Sequence, residues 1–176
     1  LKLYFKVSGP VHKIALKPLP NFAEMAETKT EAQKQFYSQP VHELWKHTCF
    51  ECFIGPAGHK NYLEFNGSPY GAWALYSFEQ ERKRRGHQEG VWIPDLIPSL
   101  EVFIRTDQAW EIVFYLGRFQ EWKKHLEFIN SGKFDVQLSA VLEVQGQESV
   151  EYFALKHLKN SPDFHDRLSW NHEVRY

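Results

Sequence analysis

The stretch LWKHTCFECFIGPAGHKNYLEFNGSPYGAWALYSFE, residues 44–79, predicts three consecutive antiparallel strands. The strands are expected at 44–54, 61–68 and 71–79. Turn-forming residues separate them, with Gly55-Pro56-Ala57-Gly58 after the first strand and Gly67-Ser68-Pro69-Tyr70-Gly71 after the second. Because both turns are short, we expect the three strands to lie side by side in one sheet.

One face of the first two strands combines polar and aromatic side chains. Side chains alternate across a strand, so every second residue shares a face. The apolar face is predicted to present Phe50, Cys52, Ile54, Leu63 and Phe65. The opposite face is predicted to present Trp45, His47, Cys49, Glu51, Tyr62, Glu64 and Asn66. That second face is too polar for a core and too aromatic for an ordinary surface, which indicates a ligand site.

The rest of the chain is also dominated by strand patterns. Alternating apolar residues predict strands at 1–7, 11–17, 99–105, 110–117, 134–145, 150–157 and 168–175. Residues 21–43 are polar and alanine-rich and indicate a helix or an ordered excursion, whereas the apolar spacing of 119–130 suits a short amphipathic helix. About ten short strands with one or two short helices predict a mainly β fold, an antiparallel β-sandwich or jelly roll. We find no internal repeat, and a single domain over residues 1–176 is expected.

Composition excludes several classes of partner. At 176 residues with 43% hydrophobic residues, the chain is large enough to bury a core. Its net charge of −1, with both signs interspersed, offers no basic field for nucleic acid. The cluster Lys83-Arg84-Arg85 after Arg82 is interpreted as a solvated strand end or loop. No apolar run reaches the roughly 20 residues that a bilayer requires, and no secretory signal is visible, so no membrane partner and a cytoplasmic location are predicted.

The two cysteines, Cys49 and Cys52, are three positions apart. On a strand they point to opposite faces and cannot close a disulfide or chelate a metal together. We therefore predict that both are reduced.

Neither a metal nor a cofactor is predicted. His157, Asp163 and His165 cluster near the C-terminus, yet no HxH, HExxH or paired CxxC spacing occurs. Haem would need an axial Met or His, and Met25, the only methionine, falls in the polar 21–43 segment. Haem binding therefore stays an alternative and not the main prediction.

Sugar binding is the main chemical interpretation of the polar face. Trp45 and Tyr62 could stack on the apolar C–H faces of a pyranose ring, and the polar contacts would come from Glu51, Glu64, Asn66 and His47. An unpaired buried polar group costs about 1–3 kcal/mol, so such contacts confer selectivity.

Two alternatives from other classes stay open. Glu51 and Glu64 on neighbouring strands could fall within the roughly 5–10 Å separation that glycosidases use, with His47 as acid or base on a glycoside or a sugar phosphate. The face could instead dock a protein partner through Trp45 and Tyr62. The oligomeric state is not predicted.

Three motifs in the chain resemble a DOMON-like family that is similar to the family 9 carbohydrate-binding modules. Members carry W-x-H-T-C-F-E followed by E-F-N-x-S-P-x-G-x-W, and here these motifs fall in residues 45–51 and 64–73. Members also carry a C-terminal segment of the form A-L-x-H…P-D-F-H. Its counterpart here is Ala154-Leu155-Lys156-His157 followed by Pro162-Asp163-Phe164-His165. The resemblance runs from Leu44 to Tyr176. It implies a β-sandwich jelly roll that binds a ligand without turnover, with sugar or haem as the ligand in related groups.

The resemblance also implies roles for individual residues. In the sugar-binding relatives an aromatic platform precedes a sugar-binding carboxylate by six positions, the spacing of Trp45 and Glu51. An asparagine on the next strand contacts the sugar, and Asn66 stands at that place. Glu64 replaces a basic residue of the relatives, and their second clamping tryptophan has no counterpart, since Trp170 is interpreted as sandwich core. A more polar pocket is therefore expected, formed by His47, His157, Asp163 and His165.

Overall fold

The computed structural model describes residues 2–8, 41–68, 72–85, 99–106, 109–115, 133–144 and 146–175. Within these ranges the chain forms ten strands: β1 Lys2–Ser8, β2 Cys49–Pro56, β3 Tyr62–Gly67, β4 Trp73–Gln80, β5 Lys83–Arg84, β6 Ser99–Thr106, β7 Ala109–Tyr115, β8 Lys133–Glu143, β9 Val150–Ala154 and β10 Asn171–Arg175. Two short 3-10 helices, Leu44–Lys46 and Arg167–Ser169, are also present. The predicted mainly antiparallel β fold is confirmed.

The strands form two antiparallel sheets. The smaller sheet has the order β1-β7-β6, and the larger has the order β10-β8-β2-β3-β4-β5. β2 pairs with one edge of β8, and the other edge is divided between β10 at the start of β8 and β9 at its end. The strands of the 44–79 stretch, β2, β3 and β4, therefore lie side by side within the larger sheet, as expected.

The inner face of the larger sheet is the face that packs on the smaller sheet. Phe114 of β7 lies with its ring centroid 6.5 Å from that of Phe50 and 5.2 Å from that of Phe65. Phe5 of β1 lies 5.0 Å from Phe50. A Cβ at Gly67 would collide with the Phe114 ring, so a glycine is needed for this close approach. These contacts join the sheets into a sandwich.

The outer face is the opposite face of the larger sheet, and two chain segments, 41–47 and 155–170, supply its cover. The buried residues of this outer cluster are Leu44, Cys49, Phe53, Tyr62, Ala72, Ala74, Tyr76, Phe78, Val141 and Trp170. Trp170 is thus buried in a hydrophobic core, as predicted, but this core is the outer cluster and does not lie between the two sheets. Its indole Nε1 donates a hydrogen bond to the backbone oxygen of Phe164 at 2.8 Å, which ties the second segment together.

Arg167 anchors the second covering segment to the sheet. Its Nη2 donates to Asp135 Oδ2 at 2.6 Å and to the backbone oxygen of Pro56 at 2.9 Å. The guanidinium also lies over the Trp170 ring, 4.5 Å from its centroid. A Cβ at Gly55 would collide with Arg167 Nη1, so the glycine leaves room for this anchor.

The first strand of the 44–79 stretch starts later than predicted. Glu43 adopts a left-handed conformation with φ 64°, and the chain then turns through the 3-10 helix before β2 begins at Cys49. The turn buries Leu44, which is only 1% exposed. Because the chain turns here, the two-residue alternation does not reach Trp45 and His47. Their predicted position on one strand face with Glu51 is wrong.

Some predicted elements end earlier or lie outside the described residues. β9 ends at Ala154, and residues 167–169 form a 3-10 helix, so the strands predicted at 150–157 and 168–175 are too long. The strand at 11–17 and the helix at 119–130 lie outside the described ranges, as does nearly all of 21–43, including Met25. None of the helices found in the described ranges has the length and apolar character to span a membrane. Cys49 and Cys52 are buried free thiols on opposite faces, as predicted.

Candidate ligand site

A cavity of about 710 Å³ opens between the outer face and its two covering segments. Its floor is formed by Glu51, Phe53, Glu64, Phe78 and Val141, which come from four strands of the larger sheet. The remaining lining residues are Trp45, Arg82, Lys83, Arg84, Tyr152, Pro162, Phe164 and His165. We call this space the outer cavity.

The register of the central strands places the acids on the floor. Glu51 of β2 stands opposite Asn66 of β3 and Ser139 of β8. Phe53, two residues further along β2, stands opposite Glu64. Directly opposed residues share a sheet face, so the two glutamates are diagonal neighbours on the outer face. The predicted pairing of these two strands thus brings both acids to one cavity.

Glu51 is a buried acid with weak hydrogen-bond support. It is 2% exposed, and its Oε2 accepts a hydrogen bond from Ser139 Oγ at 2.7 Å. Its Oε1 accepts only a longer contact from Cys49 Sγ at 3.7 Å. Burial, followed by the nearby Glu64 charge, raises the pKa of Glu51 to about 8. At neutral pH the side chain is therefore mostly an uncharged acid that can both donate and accept hydrogen bonds.

Glu64 is held by an amide and an imidazole. Its Oε1 accepts from Asn66 Nδ2 at 2.6 Å, and its Oε2 lies 3.6 Å from His165 Nε2. Burial raises the pKa of Glu64 to about 7, against the lowering effects of the Asn66 hydrogen bond and of Arg84 and Arg82. Burial lowers the pKa of His165 to about 4, so this imidazole is neutral at pH 7.

Tyr62 and Asn66 lie on the outer face beside the floor residues but do not line the outer cavity. The Tyr62 ring is 1% exposed and stacks on Phe78, with centroids 4.6 Å apart and planes 7° apart. Its hydroxyl lies 2.6 Å from His165 Nδ1 and accepts a hydrogen bond from the backbone N–H of Arg82 at 3.2 Å. Asn66 is fully buried, and its Oδ1 has no hydrogen-bond partner among the described residues. Both side chains orient the lining and are not exposed in the outer cavity.

Trp45 reaches the outer cavity from the first covering segment, although it does not lie on a strand. Its indole makes edge contacts with His42 and Tyr76, at centroid distances of 5.4 and 5.6 Å. The Arg84 guanidinium carbon lies over the same ring, 5.0 Å from its centroid. Trp45 and Glu51 thus line the same cavity, as predicted, but the reason is the packing of the first covering segment on the sheet. Alternation along a strand does not place Trp45 there.

Three other predicted site residues do not line the outer cavity. His47 Nδ1 lies 3.3 Å from Oε1 of Glu143, a residue of the outer face that does not line the outer cavity. His157 is exposed, with its ring 6.1 Å from that of Phe164. Asp163 accepts from Arg82 Nη2 at 2.7 Å and therefore connects the second covering segment to the β4–β5 turn. A polar pocket was expected from four residues: His47, His157, Asp163 and His165. Of these four, only His165 lines the outer cavity.

The basic side chains of the lining were missed in the sequence. Arg82, Lys83 and Arg85 are exposed, which agrees with the interpretation of this cluster as a solvated strand end or loop, but Arg84 is half-buried, and Arg82, Lys83 and Arg84 also line the outer cavity. The cluster immediately follows β4, whose Tyr76 and Phe78 alternate on the outer face. A tight turn after Gln80 places the basic residues next to β4, beside Tyr76 and Phe78. The position of the cluster directly after a strand was therefore the sequence feature that could have predicted its place in the lining.

The described residues contain no group of three His, Cys, Asp or Glu side chains that could hold a metal ion. The described lining offers groups for hydrogen bonding, ring stacking and ion pairing, and its two glutamates, with pKa values of about 8 and about 7, can exchange a proton near neutral pH.

Comparison with known proteins shows similarity in structure. No protein-family model matches the sequence. A search of curated proteins also finds no match. Among solved structures, the chain is similar to a candidate carbohydrate-binding protein from Bacteroides uniformis ATCC 8492, with a TM-score of 0.52 and 12% sequence identity. The similarity covers 97% of this chain and 69% of that protein, and it supports the β-sandwich fold.

Proposed function

We propose that this chain is a non-catalytic domain that binds a carbohydrate or a sugar derivative in the outer cavity. The observation that carries the proposal is the convergence of Trp45, Glu51 and Glu64 on one cavity of about 710 Å³. That volume lies within the range of roughly 300–1,000 Å³ that is usual for small-molecule sites. Aromatic walls beside buried hydrogen-bonding groups suit a ring with apolar C–H faces and polar hydroxyls.

The aromatic and polar residues in and around the lining have different roles in this proposal. Trp45 stacks on the sugar ring, while Glu51 and Glu64 accept hydrogen bonds from its hydroxyls or, when protonated, donate to its oxygens. Asn66 and Tyr62 act indirectly, since they contact Glu64 and His165 respectively. His165 packs against Phe53 and Phe78 and lines the cavity beside Glu64.

The structural similarity and the sequence resemblance both support this proposal. The similar Bacteroides uniformis protein is a candidate carbohydrate-binding protein. The same proposal includes membership of the DOMON-like family, which is similar to the family 9 carbohydrate-binding modules. It also includes a jelly-roll connection of the strands and a single domain over residues 1–176.

Isothermal titration calorimetry against a panel of sugars tests the proposal. We expect Trp45→Ala and Glu51→Ala to weaken binding by about tenfold to a hundredfold each, because each removes a contact worth about 1–3 kcal/mol. Glu143→Ala is the matched control, since Glu143 is a buried glutamate on the same face that does not line the outer cavity. Circular dichroism of each variant checks that the fold is kept.

Two outcomes would contradict the proposal. Binding that is unchanged in both cavity variants would locate the ligand elsewhere. Turnover of chromogenic glycosides or sugar phosphates, lost in Glu51→Gln, would replace binding by the enzyme alternative. Native mass spectrometry of gently purified protein gives an independent readout, since a retained sugar would appear as a discrete added mass.

A further inference from the structure

The outer cavity contains a hydrogen-bond donor and an acceptor that face each other without a good hydrogen bond between them. His165 and Glu64 both line the cavity, and Nε2 of His165 lies 3.6 Å from Oε2 of Glu64. The nitrogen and oxygen of an N–H···O hydrogen bond are about 2.7–3.2 Å apart, so this separation is too long for one. The short hydrogen bonds that the described residues make with these two side chains go to their other atoms, Nδ1 and Oε1.

The ring hydrogen of His165 lies on Nε2, the nitrogen that faces Glu64. Nδ1 lies 2.6 Å from the hydroxyl oxygen of Tyr62, which already accepts a hydrogen bond from the backbone N–H of Arg82 at 3.2 Å. The single hydrogen of this buried phenol therefore points to Nδ1, because a hydrogen on Nδ1 would leave it without an acceptor among the described residues. Burial lowers the pKa of His165 to about 4, so at pH 7 the ring is neutral and carries one N–H, at Nε2.

Packing holds the two side chains at this separation. The His165 ring makes edge contacts with Phe53 and Phe78, at centroid distances of 5.1 and 5.2 Å. Glu64 is held at its other oxygen by Asn66, whose Nδ2 donates a hydrogen bond to Oε1 at 2.6 Å. Because each side chain has partners that orient it, the donor and the acceptor are already in place for a ligand atom that binds between them.

A hydroxyl group suits this pair because it can accept one hydrogen bond and donate another. Its oxygen would accept from Nε2 of His165, and its hydrogen would be donated to the Glu64 carboxylate. An ether, ester or carbonyl oxygen only accepts and would bring its lone pairs against those of the carboxylate. An ammonium group only donates and would bring its hydrogens against the imidazole N–H. The pair therefore distinguishes a free hydroxyl from each of these substituents.

We propose that His165 is a ligand-binding residue that, together with Glu64, recognises one free hydroxyl of the saccharide, and that Tyr62 is a positioning residue that keeps the His165 hydrogen on Nε2. This inference rests on the proposed saccharide function. It specifies a ligand whose hydroxyl at this place is not methylated, acylated or replaced by an amine. Trp45 stacks on the same sugar ring, and Glu51 is left to a different hydroxyl.

Calorimetry with modified sugars tests the inference. The parent sugars are glucose, galactose and mannose, and each hydroxyl in turn is replaced by hydrogen or by a methyl ether. The measurements are made at pH 8, above the pKa of about 7 of Glu64, so that this side chain is mostly an acceptor. In a parent that binds, we expect one position at which either replacement weakens binding by about tenfold or more, because a hydrogen bond to a charged group is lost.

Two histidine variants identify the hydroxyl that faces the pair. His165→Phe keeps a ring beside Phe53 and Phe78 but removes the donor, so it should weaken the parent by about tenfold and the deoxy sugar at that position by less than about twofold. His59→Phe is the matched control, since His59 is exposed and does not line the outer cavity; it should keep the full difference between parent and deoxy sugar. An equal loss of parent and deoxy sugar at every position in His165→Phe would overturn the inference, because His165 would then act only through packing.

The role of Tyr62 can be tested without a ligand. Tyr62→Phe keeps the ring that stacks on Phe78 but removes the hydroxyl that donates to Nδ1 of His165. NMR of the imidazole nitrogens should show the hydrogen of His165 on Nε2 in the natural chain and a mixture of the two neutral forms in Tyr62→Phe. The variant should bind the parent sugar about twofold to tenfold more weakly, because only a fraction of the molecules then presents the donor. A natural chain with this hydrogen on Nδ1 would overturn the inference.

The two proposals fail in different ways. Binding that is lost in Trp45→Ala, but with no hydroxyl whose removal is coupled to His165, would overturn this inference and keep the proposed function. Absence of binding to every sugar tested would overturn both.

Discussion

The inner and outer faces of the larger sheet are both buried, yet different side chains cover them. On the inner face, Phe50 and Phe65 meet Phe114 and Phe5 of the smaller sheet, and the described contacts are ring against ring. On the outer face, the buried aromatic cluster is interrupted by Glu51, Glu64 and other polar side chains. The polar side chains of the outer face that are at most 7% exposed are Glu51, Glu64, Asn66, Asp135, Gln137, Ser139 and Glu143.

The difference shows that burial alone does not define a core. Apolar side chains gain free energy when they leave water, but a buried acid without full hydrogen bonding loses it. Glu51 has one short hydrogen bond, and Asn66 Oδ1 has no partner within the described part of the chain. We infer that the outer face retains groups that would be replaced in a site selected for stability alone.

The largest expected effect comes from breaking the inner face. Phe114→Ala removes the ring that contacts Phe5, Phe50 and Phe65 and should lower the free energy of unfolding by about 3–5 kcal/mol. Urea denaturation measures this loss. Phe153→Ala is the matched control, because Phe153 is 49% exposed and should contribute much less. A similar loss in both variants would show that the buried Phe114 ring contributes no more to stability than an exposed ring.

A smaller effect is expected when the anchor of the outer cover is removed. Arg167→Met keeps an aliphatic chain but leaves the buried Asp135 without its guanidinium partner, which should cost about 2–3 kcal/mol in urea denaturation. Adding Asp135→Asn should recover part of the loss, because the buried charge is then removed. Arg85→Met, at an exposed position, serves as the control and should change stability by less than about 0.5 kcal/mol. If the double variant were no more stable than Arg167→Met, the ion pair would not be the anchor.

The smallest effect is a pH dependence that only the outer face should show. The folded pKa values of Glu51 and Glu64, about 8 and about 7, exceed the ordinary value of 4.5. Their contribution to stability is therefore fully present below pH 4.5 and is lost as the pH rises through the folded values. His165, with a pKa lowered from 6.5 to about 4, acts in the opposite direction but only below pH 6.5. The interval from pH 6.5 to 8 thus reports on the acids.

Within that interval we expect the free energy of unfolding to fall with rising pH, by about 1.4 kcal/mol per pH unit for each acid that is still protonated in the folded state. Glu51→Gln should remove most of the decline and be more stable than the natural chain at pH 8. Glu148→Gln, at an exposed position, should leave the decline unchanged. Urea denaturation at several pH values gives the measurement, and parallel curves for all three proteins would show that Glu51 is ionised throughout.

The strands could be predicted from the sequence wherever one face alternates strictly with the other. β2 and β3 follow this rule, and their register fixes the positions of Glu51 and Glu64 without further information. Trp45 could not be placed in this way, because burial of Leu44 turns the chain and ends the alternation. Trp45 lines the outer cavity because the first covering segment packs there, and its predicted place on the face of a strand is wrong.

Arg84 shows a second limit of sequence patterns. Which of two adjacent arginines faces the outer cavity depends on a one-residue register shift between β4 and β5. Alternation gives the spacing of side chains along a strand but does not reveal an inserted residue. The position of His47 could not be predicted for a related reason. Its partner Glu143 lies 96 positions away in the sequence, and no local pattern indicates that contact.

The pairing of β2 with β8 has a consequence for how this protein folds during its synthesis. The two strands are joined by the hydrogen bond between Ser139 and Glu51, 88 positions apart. A nascent chain emerges from the ribosome N-terminus first, so β2, β3 and β4 are outside the ribosome well before β8 is translated. Contacts of such high sequence separation slow folding, and unpaired strand edges are prone to aggregation in the meantime. We therefore expect the yield of soluble protein to depend on translation speed and chaperone supply, and not only on the stability of the folded protein.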